Sequence, residues 1–178
     1  MGSADSRATI RDVMNKTGTR VALVVVVVVL LIQLVQPERS NPASSSAAVQ
    51  DVLPMSPRID GLIRSACFDC HSNQTRWPWY SYVAPVSWLV SQDVSEGRRH
   101  VNFSEWGSYE RRKQIGRLGS IADEVSEGAM PLPSYARMHA EAALSEEDRD
   151  SLVAWAEHMR GLLIGQDRAA QDSVGGPR

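Results

Sequence analysis

The sequence predicts an all-α protein in which an N-terminal transmembrane helix precedes one small helical domain. Three observations predict it. Apolar residues recur at helical spacing in four separate patches. An apolar run, Val21–Val35 (VALVVVVVVLLIQLV), carries Gln33 as its one polar residue. Strand signals are weak, and Gly and Pro fall mainly between the helical patches.

In chain order, residues 1–20 form an N-terminal tail with Arg7, Arg11, Lys16 and Arg20. Residues 21–36 are read as a transmembrane anchor. Fifteen residues of helix span about 22 Å, and extension from Thr17 to Gln36 reaches the ~30 Å of a hydrocarbon core. A run this rich in valine is a poor soluble helix but is acceptable in lipid. The rival reading is a cleaved signal peptide, which needs a small-residue site directly after the apolar run. Gln36-Pro37-Glu38-Arg39 follows instead, so a retained anchor is expected. The positive charges before the run keep the N-terminus cytoplasmic and put the rest of the chain on the far side. Residues 37–49, rich in Ser, Ala and Pro, read as a flexible tether. Residues 50–164 suit one small domain, and the polar, Gly-containing residues 165–178 are expected to be a disordered tail.

Four helices are expected in the domain. The first runs from about Pro57 to Cys67 behind Ser56, with Ile59, Leu62, Ile63 and Ala66 on one stripe. The second runs from about Pro85 to Gly97, with Val86, Leu89, Val90 and Val94 on one side. The third covers about Glu110 to Glu127, through Ile115, Leu118, Ile121 or Ala122, and Val125. The fourth starts at Ser145, which with Asp148 resembles a capping box, and carries Leu152, Trp155, Ala156 and Met159 to about Arg160. Net charge is −2 and pI about 6.1, which leaves no basic footprint for nucleic acid. Nine of the eleven aromatic residues lie between Phe68 and Tyr109, so apolar mass clusters just after the first helix.

The only two cysteines end that helix, in Cys67-Phe68-Asp69-Cys70-His71. C-x-x-C-H is the attachment pattern of c-type haem. Two sulfurs reach two vinyl groups as thioethers, and the adjacent histidine becomes an axial ligand of the iron. On this composition the pattern arises by chance roughly once in 4,000, which outweighs the bland readings. A thioredoxin-like dithiol belongs in a βαβ setting, for which no alternating strands are evident. A structural zinc site needs four ligands, usually two such pairs. The domain is therefore read as a small cytochrome c-like helical fold around one covalent haem c. Its apo form is expected to be poorly folded, because cofactor binding and folding are linked.

The stretch from Cys67 to Trp88, CFDCHSNQTRWPWYSYVAPVSW, resembles the bacterial haem-binding domain proteins, relatives of monohaem cytochrome c. So do Val94-Ser-Glu-Gly-Arg, Asn102-Phe-Ser-Glu-Trp106 and the anchor end Ile32-Gln-Leu-Val-Gln-Pro-Glu-Arg39. The resemblance covers about Val24 to Met159. It implies haem and a membrane tether, without a defined partner.

The resemblance also frames the second axial ligand. Small cytochromes c present a distal methionine from a loop, commonly beside proline and ahead of the last helix. Met130, 59 residues after His71 and between Gly128 and Pro131, matches that pattern. A neutral sulfur ligand raises the potential and suits electron transfer. Met138 and His139 are the main rivals. Met159 is explained by packing, His158 and His100 by solvation, and Met55 completes the candidates. The second nitrogen of the axial histidine usually donates to a carbonyl, and Pro85, fourteen residues after His71, is the expected source. Arg76, Trp77, Trp79 and Tyr80 are expected either to bond haem propionates or to pack on the porphyrin edge. Trp88 and Trp106 are expected in the core.

The expected function is single-electron transfer by a membrane-tethered c-type haem protein, an electron carrier rather than an enzyme. It faces the periplasm from a bacterial inner membrane and meets membrane or periplasmic redox proteins. One alternative is a haem enzyme or gas or redox sensor with an open, peroxidase-like distal site. The other is an accessory subunit with structural haem.

Overall fold

A computed structural model describes the chain over residues 3–174, with side chains described over residues 17–172. Among the described residues every regular element is helical, and none is a strand. Two compact units are formed: Met1–Arg39 with Pro78–Gln92, and Ser40–Trp77 with Asp93–Arg178.

The first unit is built on α1 (Ser3–Ile32). From Val21 to Leu31 its large apolar side chains are exposed. Among the described residues no helix is long and apolar enough to cross a membrane. The tail charges Arg7, Arg11 and Lys16 lie outside the residues whose side chains are described. The helix closes with Val35 N–H donating to Ile32 at 3.2 Å. Pro37 then disfavours any helical conformation at Gln36. The Gln33 amide bonds residue 84 both ways: it donates to Ala84 O at 3.1 Å and accepts from Ala84 N at 2.9 Å. Residue 84 follows a 3₁₀ turn, Trp79–Tyr82.

The second unit holds the core. A short helix, α2 (Val49–Val52), leads to α3 (Pro57–Ala66), which begins as expected with Ser56 Oγ accepting from Ile59 N at 3.3 Å. Its stripe buries Ile59, Ile63 and Ala66, with Leu62 packed at the edge. One turn, α4 (Phe68–His71), follows directly. α5 (Val86–His100) starts in the first unit and ends in the second. A 3₁₀ segment (Phe103–Ser108) leads to α6 (Arg111–Ser126). After α7 (Pro133–Met138) and a further 3₁₀ turn, α8 (Glu146–Val174) closes the fold. Ser145 caps it, accepting from Asp148 N at 3.1 Å.

α6 and α8 run antiparallel: Arg111 bonds Gln166, and Arg149 bonds Val125 O. Between them and α3 lie Leu118, Ala122, Val125, Leu152, Trp155, Ala156 and Met159, joined by Phe68, Phe103 and Trp106.

Four expectations change. The last helix runs fourteen residues past Arg160, through most of the segment read as a disordered tail. No proline interrupts it there, and Gly161 and Gly165 each cost only about 1 kcal/mol relative to alanine. The first half of the expected stripe of the second helix faces outward: Val86 and Leu89 are exposed, whereas Val94 is buried. Trp88, expected in the core, is also exposed, while Trp106 is fully buried as expected. The tether is held from residue 40 onward. Arg98 bonds Ser40 O and Asn41, Glu105 accepts from Ser45 N, and Gly107 N donates to Ala47 O.

Candidate functional site

Cys67 caps α3, its N–H donating to Ile63 O at 3.0 Å. The next turn closes on it, with Cys70 N and His71 N both donating to Cys67 O, at 3.2 and 2.9 Å. Residues spaced by three and four in a helical turn share a side. The spacing of the motif therefore presents two thiols and one imidazole together. Both cysteines are free and half-buried.

Burial pushes the Cys67 thiol up to about 12, with the neighbouring Cys70 adding to it. Burial pushes Cys70 up to about 11, reinforced by the negative charges of Asp93 and Asp69. Both thiols stay protonated at neutral pH. A thiol–disulfide catalyst needs the reverse, a thiolate stabilised near neutrality.

His71 Nδ1 lies 2.9 Å from Gly97 O and 3.2 Å from Val101 O. Carbonyl oxygens only accept, so Nδ1 carries the proton and Nε2 keeps a lone pair. Burial lowers the His71 pKa, against the opposing effect of the two carbonyl bonds. The ring is thus favoured as a neutral imidazole with a lone pair on Nε2, the form that metal ligation requires. The carbonyl comes from Gly97 and Val101, not from Pro85.

Gly97 is where α5 touches the motif. A Cβ there would lie 2.5 Å from Cys70 O and 3.2 Å from Cys70 Cβ, so only glycine permits the approach. The next residue, Arg98, reaches the loop after the motif. Its Nε donates to Ser72 O at 2.8 Å and Nη2 to Thr75 Oγ1 at 2.9 Å. Buried polar groups complete the clamp: Ser72 Oγ donates to Phe68 O, Asn73 N to Ser104 Oγ, and Asn102 Nδ2 to Asn73 Oδ1.

Asp69, between the cysteines, is buried. Its carboxylate accepts from Arg76 N at 2.9 Å, from Arg76 Nη2 at 3.1 Å and from the Tyr135 hydroxyl at 2.6 Å. Burial, then the bond to Asp69, pushes the Tyr135 hydroxyl well above the usual phenol range. Tyr135 belongs to α7 and so links the Met130–Met138 region to the motif.

Met130 follows α6 in a tight exit. Gly128 takes φ +73°, and Ala129 N and Met130 N both donate to Glu124 O at 3.0 Å. Arg149 Nη1 donates to Val125 O at 2.7 Å beside it. Met130 and Cys67 are both half-buried against the same core. The rivals are differently placed. Met138 is 60% exposed, and Met159 is in the core. His139 stacks on Tyr135 at 4.3 Å and lies 3.5 Å from Glu141. His100 and His158 are exposed, and Met55 packs on the core. Of the expected propionate partners, Arg76 is committed to Asp69, Trp77 and Tyr80 are half-buried, and Trp79 is exposed.

Gly97, Val101, Asp69, Arg98 and Tyr135 are the site residues that sequence reasoning missed. A glycine inside a helical pattern was a signal for close approach. Nothing local connects Tyr135 to a residue sixty-six positions earlier.

Among the described residues no group of three or more His, Cys, Asp and Glu side chains is placed to hold a metal ion. The family profile described as a haem-binding domain matches residues 27–158. No curated protein and no solved structure matches the chain.

Proposed function

Since this chain belongs to the haem-binding domain family, we propose that it is a membrane-tethered c-type cytochrome that carries single electrons. Cys67 and Cys70 would hold one haem by thioethers, and His71 Nε2 and Met130 would ligate its iron. The bound haem supplies one-electron iron chemistry, and the protein sets its potential, exposure and docking.

The observation that carries this reading is the state of His71. Two backbone carbonyls hold Nδ1–H, so the ring is neutral, oriented and free at Nε2. The thiols beside it are raised by burial, which disfavours dithiol exchange. Met130 shares its core with Cys67 and sits on a loop fixed at Gly128 and tied through Tyr135 to Asp69. With Met130 as a second protein ligand beside His71, the iron would supply electron transfer rather than substrate chemistry.

The anchor is Val21–Val35. Its side chains are exposed from Val21 to Leu31, a poor arrangement for a helix in water. Arg7, Arg11, Lys16 and Arg20 precede it, which puts the N-terminus in the cytoplasm and the haem domain outside. The tether confines the domain near membrane oxidoreductases and raises their effective concentration.

The test is expression of the full chain with cytochrome c maturation enzymes, followed by visible and near-infrared spectra. Haem that survives denaturation, with a sulfur-to-iron charge-transfer band when oxidised, is the expected result. Covalent haem without that band and with ready carbon monoxide binding would replace the electron carrier by an open-site enzyme or sensor. No covalent haem would overturn the reading.

A further inference from the structure

The segment Pro78–Gln92 contains no charged residue, and most of its large apolar side chains are exposed. Trp79 is 76% exposed and Leu89 61%, and Tyr82, Val83, Val86 and Trp88 are exposed with them. Val86 and Leu89 are three apart in α5 and share a side. Exposed large apolar side chains gathered on one short uncharged segment mark an interaction site rather than an ordinary solvated face.

The first unit itself indicates what covers it. The segment is bonded to the end of the apolar helix α1, at the residues where that helix stops. Gln33 pairs with Ala84 through both its amide groups, and Trp88 Nε1 donates to Val35 O at 2.7 Å. Arg39 donates to Ser81 O at 3.0 Å and places its guanidinium 4.3 Å over the Tyr82 ring. Tryptophan and tyrosine, with an apolar body and a polar tip, prefer the boundary between hydrocarbon and headgroups. An arginine beside them extends its charge towards the headgroups.

We propose that Pro78–Gln92 is a membrane-interface segment, seated in the outer boundary of the bilayer beside the exit of α1. Trp79, Tyr82, Val83, Val86 and Leu89 enter the acyl boundary. Gln33, Trp88 and Arg39 hold the segment at that depth. The proposal rests on the reading of Val21–Val35 as an anchor, and adds a second, non-spanning contact with the same membrane.

The experiment uses the full-length holoprotein in native membranes, with p-benzoylphenylalanine in place of Trp79, of Leu89 and, as control, of the exposed Ser120 in α6. These side chains are outside the core, so the replacements leave the fold intact. After irradiation, adducts are identified by mass spectrometry, and a parallel sample is washed with alkaline carbonate. Phospholipid adducts at 79 and 89, with none at 120, are expected. Adducts at 79 and 89 to another polypeptide or to the haem, or none at all, would overturn the proposal. If the protein stays in the carbonate pellet in that case, the anchor reading survives. Release by carbonate with lipid adducts still present at 79 and 89 would remove the anchor and keep the interface segment.

Discussion

At His71, two carbonyls and burial together select one tautomer and one charge state before any ligand arrives. Met130 supplies the complementary test. Met130→Ala is expected to keep haem attached while the sulfur-to-iron band disappears, the potential falls and ferrous iron binds carbon monoxide. An unchanged near-infrared spectrum would exclude Met130 as the sixth ligand. The thiols predict a pH dependence of the opposite sense to acid denaturation. In the unfolded apo chain they ionise near about 8.5; in the fold burial raises them to about 12 and 11. Their folded values are raised, so the stability they contribute is fully present below the unfolded value and is lost as pH rises towards 11 and 12. What fold the apo chain keeps should therefore show a urea midpoint that falls from about pH 8.5 upwards. A Cys67→Ser, Cys70→Ser double variant should flatten that slope, and an equal slope in both proteins would refute the assignment. The motif itself was legible because its spacing is local. The carbonyl partners of His71 were not, because they sit 26 and 30 residues away, in α5 and just past its end, where no periodicity reveals the packing.

At the scale of elements, α5 and α7 are what the motif leans on. Gly97→Ala places a methyl group 2.5 Å from Cys70 O, against backbone that cannot rotate away. Helix α5 must shift, and overpacking of this kind typically costs about 1–3 kcal/mol. Because Gly97 O also holds His71, the variant should both lower the denaturation midpoint and perturb the haem spectrum. A midpoint and spectrum equal to those of the parent would show that α5 yields without cost. Tyr135→Phe removes one donor from the buried Asp69 carboxylate and leaves the ring. The expected loss is about 1–3 kcal/mol, together with faster carbon monoxide entry as the Met130–Met138 region loosens. Equal carbon monoxide kinetics in the two proteins would refute this coupling. The helices themselves were legible: Ser56 and Ser145 cap as their sequences suggest, and Ile59, Ile63, Leu118 and Leu152 are buried on the expected stripes. The stripe of α5 misled because periodicity reveals an apolar face, not what covers it. Val94 meets the core, whereas Val86 and Leu89 meet nothing within the first unit that hides them.

At the scale of the molecule, the order of segments matters more than any one contact. An apolar helix, a short polar exit and a haem-binding domain follow one another, and from Ser40 the exit is already bonded along the second unit. Composition alone made residues 37–49 a free tether, because Ser, Ala and Pro are common to linkers and to extended segments laid on a surface. The bonds of Arg98, Glu105 and Gly107 to this segment come from residues far along the chain, and no local pattern announces them. A segment bound in this way is part of the second unit rather than a free linker. The orientation proposed above rests on the charges: four basic residues precede the apolar run, and short basic flanks favour the cytoplasmic side. Protease added to intact spheroplasts should therefore remove the haem-staining domain and leave an N-terminal tag protected. After lysis both should be cleaved. A haem domain protected until lysis would reverse the orientation, and with it the extracytoplasmic site of haem attachment that the whole reading requires.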